Sequence, residues 1–238
     1  MSNASIASSI QDRLQLSLPA IAVAFVQEQP KGVQRTQKLA PSACGFWRLA
    51  EKEVFYAAAE DHHNCPTGTY VMGFPMSEPM MQSLMSEIGT MCANAYVEEA
   101  EVPQVPKVQE SHAGAVYGPL RDFPLEPDVV LLWVTPLQAM LLTESCGGIN
   151  WTKAPQSVFG RPGCCAIPLA MQGSQPALSF GCVGMRVNTD IGGEYFLMAV
   201  GKEQLGALES ELFITNESHQ KMRSYYLDRA AKAPSVRS

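Results

Sequence analysis

Seven cysteines are the residues of this chain best suited to chemistry, and four of them occur in two matching segments. Cys44 and Cys65 mark the first segment, and Cys164 and Cys182 take the same places in the second. In both, Leu and Ala follow the first cysteine by five and six residues, and an apolar run precedes the second cysteine. Four thiolates at one point are what an iron–sulfur cluster or a zinc ion requires. The spacing therefore predicts a duplicated half-domain whose four cysteines meet at one cofactor site.

The seven cysteines do not fit a disulfide framework, because their number is odd and the first residues lack the cationic and apolar blocks of an export signal. We therefore expect reduced thiols in a cytoplasmic protein. A helix is predicted from Ser77, which could cap it, to about Tyr96. Cys92 lies within this helix and is predicted to be a packed thiol. Cys165 is predicted to be a packed neighbour of Cys164, and the role of Cys146 is left open.

The densest polar cluster is the segment Glu60-Asp61-His62-His63-Asn64-Cys65, which follows an apolar run. An acid, imidazoles and a thiol within six residues could supply ligands, a general base or a low-pKa thiolate. Adjacent side chains diverge, so at most one of His62 and His63 is expected to serve the site. The alternative is a turn in which Asp61 and Asn64 cap backbone groups and the histidines face solvent. Because the segment ends in a cysteine, we predict that it forms one wall of the pocket, its polar groups either ligating a cofactor or solvated.

The second segment carries further candidates around its two cysteines. Cys164 stands near a predicted helix N-terminus, where the helix dipole lowers the pKa of a thiol. Gly181 and Gly184 would let the backbone approach a ligand closely. Met185 could be a soft axial ligand, and Arg186 could hold an anionic group. The alternatives are a core methionine and a solvated arginine in an ion pair.

Apolar runs of strand length alternate with helical segments, which predicts an α/β or α+β fold. The chain has 238 residues, enough for one domain with a shared core. We expect two related strand–helix–strand halves packed about a shared site, with units around 20–68 and 128–184 related by an approximate twofold axis. The predicted boundaries are about 15–97 and 127–213 for the halves, 98–126 for an acidic, proline-containing connection, and 216–232 for a C-terminal helix.

Composition and missing motifs exclude several classes of function. The formal net charge of -6 gives no basic footprint for nucleic acid. Apolar runs stay far below the roughly 20 residues of a membrane span. The sequence lacks a phosphate-binding loop, a dinucleotide fingerprint, a Gly-x-Ser-x-Gly elbow and a Cys-x-x-Cys-His haem attachment. A small molecule or a redox partner is therefore the expected partner, and the oligomeric state is left open.

The order of the motifs resembles that of a known family. The segments YAAAEDHHNCPTGTYVMG, LLTESCGG, GRPGCCAIPLA and LSFGCVGMR resemble the domain-of-unknown-function 169 family, the uncharacterised ArCR proteins, over about residues 10 to 215. The Asp-His-x-Cys-Pro-x-Gly pattern of that family fits Asp61 to Gly68 with one extra residue, or with His63 as its histidine. The Gly-Cys-x-Gly-x-Arg pattern is met by Gly181, Cys182, Gly184 and Arg186. The resemblance implies no assigned activity.

The leading hypothesis is a cofactor-binding protein with a redox or electron-transfer-linked role, its site lying between the two halves. An iron–sulfur cluster is the first choice, because the Cys-x-x-Cys knuckles usual in structural zinc sites are absent. Non-covalent haem or another tetrapyrrole comes second, with His62, His63, a cysteine or Met185 as axial ligand, and zinc comes third. One alternative is an enzyme with Cys65 or Cys182 as nucleophile and a histidine as base. Another is a cofactor-free accessory module that binds a small molecule.

Overall fold

The computed structural model describes residues 2–147, 158–159, 162–173 and 175–232. These residues form an α+β fold around one sheet, which confirms the predicted mixture of helix and strand. The strands are β1 (Ile21–Val26), β2 (Phe55–Ala58), β3 (Gly114–Pro119), β4 (Val129–Val134), β5 (Val158–Phe159), β6 (Ala177–Ser179) and β7 (Phe196–Gly201). The helices are α1 (Asn3–Leu14), α2 (Gly45–Ala50), α3 (Pro66–Val71), α4 (Glu78–Ala93), α5 (Pro136–Gly147), α6 (Ala166–Gln172), α7 (Val183–Thr189) and α8 (Lys202–Lys232). Short 3-10 turns cover Ala59–His62, Glu99–Gln104, Leu120–Asp122 and Gly163–Cys165.

The sheet has the strand order β2-β3-β1-β4-β7-β6-β5. Neighbouring strands pair antiparallel, except that β5 runs parallel to β6. From the central β1–β4 pair outward, the order β1-β3-β2 on one side matches β4-β7-β6 on the other. The sheet is therefore arranged as two equivalent three-strand units with β5 added at one edge.

The strand registers repeat as well. In β3 the fourth residue, Tyr117, lies opposite the third residue of β1 and the first residue of β2. In β7 the fourth residue, Ala199, lies opposite the third residue of β4 and the first residue of β6. At the centre Ala22 pairs with Val130, which are the second residues of their antiparallel strands. This is the arrangement that a local twofold axis near the Ala22–Val130 pair would produce.

Helices cover both faces of the sheet, which explains why the central strands are apolar along their whole length. One face packs against the short helices α2, α3, α6 and α7, and its core contains Trp47 and Trp133, whose ring centroids lie 6.1 Å apart. The other face packs against the longer helices α1, α5 and α8, with Ile10, Leu142 and Leu208 in its core. All four predicted site cysteines precede short helices on the first face.

The predicted connection at 98–126 is wrong in its central part, because it contains β3. This strand lies between β1 and β2, and the first half therefore extends to Pro119. The strand contains Gly114, Gly118 and Pro119, residue types that are typical of loops. A Cβ atom on Gly114 would lie 2.4 Å from the Ala57 carbonyl oxygen, and one on Gly118 would lie 2.7 Å from Val54 Cγ2. Glycine is needed where the backbone segments approach so closely, although glycines in a sequence usually indicate a loop.

The predicted C-terminal helix at 216–232 is not a separate element. It is the second part of α8, which runs without a break from Lys202 to Lys232. The sequence between Phe213 and Asn216 contains no glycine or proline, so nothing there interrupts the helix.

Within the described residues, no helix combines the length and the apolar character needed to cross a bilayer.

One buried polar pair links β3 to the turn after β2. His62 is 1% exposed, and its Nδ1 lies 2.8 Å from the Ala58 carbonyl oxygen. A carbonyl only accepts, so Nδ1 donates and Nε2 accepts from the Tyr117 hydroxyl at 2.9 Å. Burial lowers the pKa of His62 to about 4, which keeps the ring neutral. The two hydrogen bonds satisfy both ring nitrogens.

Tyr117→Phe is expected to lower the free energy of unfolding by about 1–3 kcal/mol, because it leaves the His62 Nε2 lone pair buried without a donor. Urea denaturation measures this change. Tyr226→Phe is the control, since Tyr226 is 60% exposed on α8 and its change should stay within about 0.5 kcal/mol. Equal stability of the two variants would contradict the role assigned to the pair.

Candidate functional site

Each half presents its two cysteines in the same way. Cys44 directly precedes α2, and Cys164 lies in the 3-10 turn that leads into α6. Cys65 and Cys182 are the N-cap residues of α3 and α7. The equivalent positions follow from the repeated strand order, because each short helix lies at the same point of its half.

The four cysteines line one cavity of about 190 Å³. It lies where the halves meet, since α2 of the first half contacts α7 of the second, and α3 contacts the turn at Gly163–Cys165. Met185 and Gly184 also belong to its wall. The cavity wall in the described part of the chain does not include Cys92, Cys146 or Cys165. Cys165 is fully buried beside it.

Hydrogen-bond donors are already directed at the sulfurs. The Gly68 amide donates to Cys65 Sγ at 3.3 Å, and the Met185 amide donates to Cys182 Sγ at the same distance. The Ser42 hydroxyl oxygen lies 3.0 Å from Cys44 Sγ, and it can donate to this sulfur or accept from its S–H group. A thiolate accepts such bonds far better than a thiol does, so these donors suit sulfurs that carry negative charge.

Burial nevertheless keeps three of the four cavity cysteines, Cys44, Cys65 and Cys164, in the thiol form. It raises the pKa of Cys44 to about 12 and is the main cause of the raised pKa of Cys65. The pKa of Cys164 is raised well above its ordinary value, first by burial and then by the neighbouring cysteines. The expectation that a helix dipole lowers the pKa of Cys164 is therefore wrong, because desolvation outweighs the short helix α6.

The polar cluster before Cys65 contributes less to the cavity than predicted. Only Asn64 and Cys65 belong to the wall. His62 lies in the core with both ring nitrogens bonded, and so it has no free nitrogen for a ligand. His63 is not part of the wall, and its buried Nε2 has no hydrogen-bond partner among the described residues.

Asp61 is paired within the protein, so the prediction that this turn is either ligating or solvated is wrong. Both carboxylate oxygens accept from Arg35, at 2.9 and 2.8 Å. Burial opposes ionisation, but the bonds from Arg35 and from the Ala58 amide lower the pKa of Asp61 overall. The carboxylate thus fixes the turn that leads to Cys65.

Arg186 and Gly181 support the cavity without lining it. The Arg186 guanidinium donates to the carbonyl oxygens of Phe180, Gly192 and Tyr195 at 2.7–2.9 Å. It therefore holds backbone rather than the predicted anionic group. Gly181 has φ +81°, and a Cβ there would lie 2.0 Å from Met185 Cε, so glycine gives the methionine room to reach the wall.

No sequence signal indicated the part of the wall that α4 and the residues after it provide. Glu87 and Tyr96 line the cavity together with the cysteines. The Glu87 carboxylate accepts from the Thr67 hydroxyl at 2.9 Å and from the Thr67 amide at 3.3 Å. The helix itself was predicted, with Ser77 as its cap, but its pattern carries no signal for its position beside α3.

A single metal ion does not suit the arrangement as it stands. Among the described residues, no three His, Cys, Asp or Glu side chains are grouped so that they could hold a metal ion. The four cysteines instead line a cavity of about 190 Å³.

Cys44 is expected to resist alkylation. At pH 8 its thiolate fraction should be about a thousandfold smaller than in the unfolded chain, because burial raises its pKa from 9.0 to about 12. Labelling with iodoacetamide, followed by peptide mass spectrometry in buffer and in urea, measures this. Faster labelling of Cys44 in the folded protein than in urea would contradict the burial argument and favour an activated thiol.

Comparisons with known proteins support the family resemblance that the motif order indicated. The chain is 26% identical over 209 residues to the uncharacterised protein MJ0308 of Methanocaldococcus jannaschii, a match that covers 84% of this chain and 88% of the relative. No solved structure matches the chain. A model of the domain-of-unknown-function 169 family, described as uncharacterised ArCR, matches residues 9–211. The chain therefore belongs to this family.

Proposed function

We propose that this protein binds an iron–sulfur cluster in the cysteine cavity and serves a redox or electron-transfer-linked role. Cys44 and Cys65 of the first half and Cys164 and Cys182 of the second would be the ligands. The observation that carries the proposal is that four thiols, two from each half, line one cavity of about 190 Å³. One-electron transfer is the ordinary chemistry of such clusters.

Three of the four cavity thiols would need a positively charged cofactor to ionise. Burial raises the pKa of Cys44, Cys65 and Cys164, so bare thiolates are unfavourable in the cavity. Metal ions deprotonate thiols on binding. The amide donors at Cys65 and Cys182 then bond charged sulfurs, and such bonds tune the reduction potential of a cluster.

A cluster is favoured over a mononuclear zinc site. A zinc ion needs its sulfurs at about 2.3 Å from one point, and no three side chains of the described residues are so grouped. In a cluster the four thiolates are distributed over two or four irons, and inorganic sulfides bridge the irons. Ligands spread around a cavity therefore suit a cluster better than a single ion.

The cavity also disfavours haem and other tetrapyrroles. Its volume of about 190 Å³ is below the roughly 300–1,000 Å³ of pockets for drug-sized ligands. His62, one of the predicted axial ligands, has both nitrogens bonded. Met185 lines the cavity, but His62 cannot join its thioether as a second axial ligand of a haem.

The cysteine-nucleophile alternative lacks an activating partner. A catalytic thiol needs a lowered pKa or an adjacent base. Burial raises the pKa of Cys65, and neither His62 nor His63 is part of the cavity wall.

The test is anaerobic reconstitution with ferrous iron and sulfide, followed by measurement of bound iron, labile sulfide and visible absorbance. The wild-type chain should bind iron and sulfide in similar amounts and show a broad absorbance in the blue. Cys65→Ser and Cys182→Ser should each lose most of the iron, since each removes one ligand. Thermal denaturation should show that the cluster stabilises the wild-type protein, because a ligand that binds only the folded state adds to its stability.

Cys92→Ser is the matched control. Cys92 is half-buried on α4 and lies outside the cavity wall, so this variant should load like the wild type. Equal iron loading by Cys65→Ser and Cys92→Ser, or no iron in the wild type, would overturn the proposal. A sharp Soret band in protein purified without reconstitution would favour a tetrapyrrole instead.

A further inference from the structure

A second, larger cavity lies beside the cysteine cavity. It is an open groove of about 600 Å³ between α4 and the 3-10 turn at Glu99–Gln104, and it reaches α3 through Tyr70. This volume lies within the range of roughly 300–1,000 Å³ that is typical of small-molecule sites.

The groove wall is mainly apolar and rich in methionine. Met81, Met85 and Met91 contribute to it from α4, and Val102 and Val105 face them from the other side. Met81 is 42% and Met85 60% exposed. Covering apolar side chains that are this exposed favours ligand binding, because it removes apolar surface from water. Methionine also adapts to ligands of different shapes.

The groove and the cysteine cavity have wall residues in common. Thr67, Met91, Val97 and Pro162 line both of them. A molecule in the groove would therefore lie next to the space that the four thiols surround. Among the described wall residues of the groove, the charged one is Glu101, which is exposed. A mainly apolar wall with one exposed carboxylate disfavours anionic ligands.

We propose that the groove binds an uncharged organic molecule with a largely hydrocarbon body, one end of which lies at the cysteine cavity. Binding itself requires only the groove. The assignment of this molecule as the substrate of the cysteine site rests on the proposed function.

Saturation binding of N-phenyl-1-naphthylamine tests the groove. This uncharged aromatic probe becomes fluorescent in apolar surroundings. Met85→Glu and Ile88→Glu should each weaken binding by about tenfold or more, because a carboxylate in an apolar site carries a large desolvation cost. Met222→Glu is the control, since Met222 is 49% exposed on α8, outside the groove, and should bind the probe like the wild type.

A second measurement tests the contact with the cysteine cavity. Saturating probe should slow the alkylation of Cys65 by N-ethylmaleimide about tenfold, since covering a thiol blocks access to it. Cys92, which lies on α4 outside the groove wall, should react at an unchanged rate. Peptide mass spectrometry reads both rates in one sample.

The outcomes distinguish a failure of the groove proposal from a failure of the cluster proposal. Probe binding should persist in Cys182→Ser, whether or not that variant takes up iron. The groove proposal fails if binding does not saturate, if all three glutamate variants bind alike, or if Cys65 and Cys92 are protected equally. Self-association of the wild type that Met85→Glu abolishes would show that a second copy of the chain occupies the groove, and would also overturn it.

Discussion

The antiparallel pairing of β1 with β4 is the interaction on which the remaining structure depends. Ala22 and Val130 pair at its centre, and the equivalent strands β3 and β7 flank it with the same register. A slip of one residue in this pair would turn its side chains to the opposite face. Because the register is fixed, the short helices of both halves lie on one face of the sheet, and their cysteines meet at one cavity.

The two halves differ where the chain enters the N-cap cysteines. Six residues, 59–64, separate β2 from Cys65, whereas two residues, 180–181, separate β6 from Cys182. The polar cluster of the first half is thus an insertion without a counterpart. It holds itself in place through the Asp61–Arg35 pair and the His62–Tyr117 bond. In the second half Arg186 holds the corresponding chain by its bonds to backbone carbonyls. Different residues thus hold the chain segment that precedes the N-cap cysteine in each half.

Much of this arrangement could be predicted from the sequence, because the repeated signals are local. The apolar runs of β1 and β4 and the equal spacing from Cys44 and Cys164 to Leu and Ala predicted two related halves. The sequence also predicted α4 and its Ser77 cap. These features depend on the period and the caps of single segments, which need no knowledge of distant neighbours.

The errors concern residues whose role depends on how the chain folds around them. Arg186 and His62 are residue types that often bind ligands. Arg186 instead bonds backbone carbonyl oxygens six to nine residues away, and His62 bonds Tyr117, 55 residues away. Gly114 and Gly118 resemble a loop until the strand that approaches them is known. The pKa of Cys164 follows its burial, and burial is a property of the folded chain as a whole.

In the proposed site, one cluster is held by two cysteines from each half. The most direct test is a crystal structure of the anaerobically reconstituted protein, with anomalous diffraction recorded at the iron absorption edge. We expect one compact iron peak in the cysteine cavity, bonded to the sulfurs of Cys44, Cys65, Cys164 and Cys182 at about 2.3 Å. Iron bound elsewhere, or iron in the cavity held by other side chains while these sulfurs stay unbonded, would contradict it.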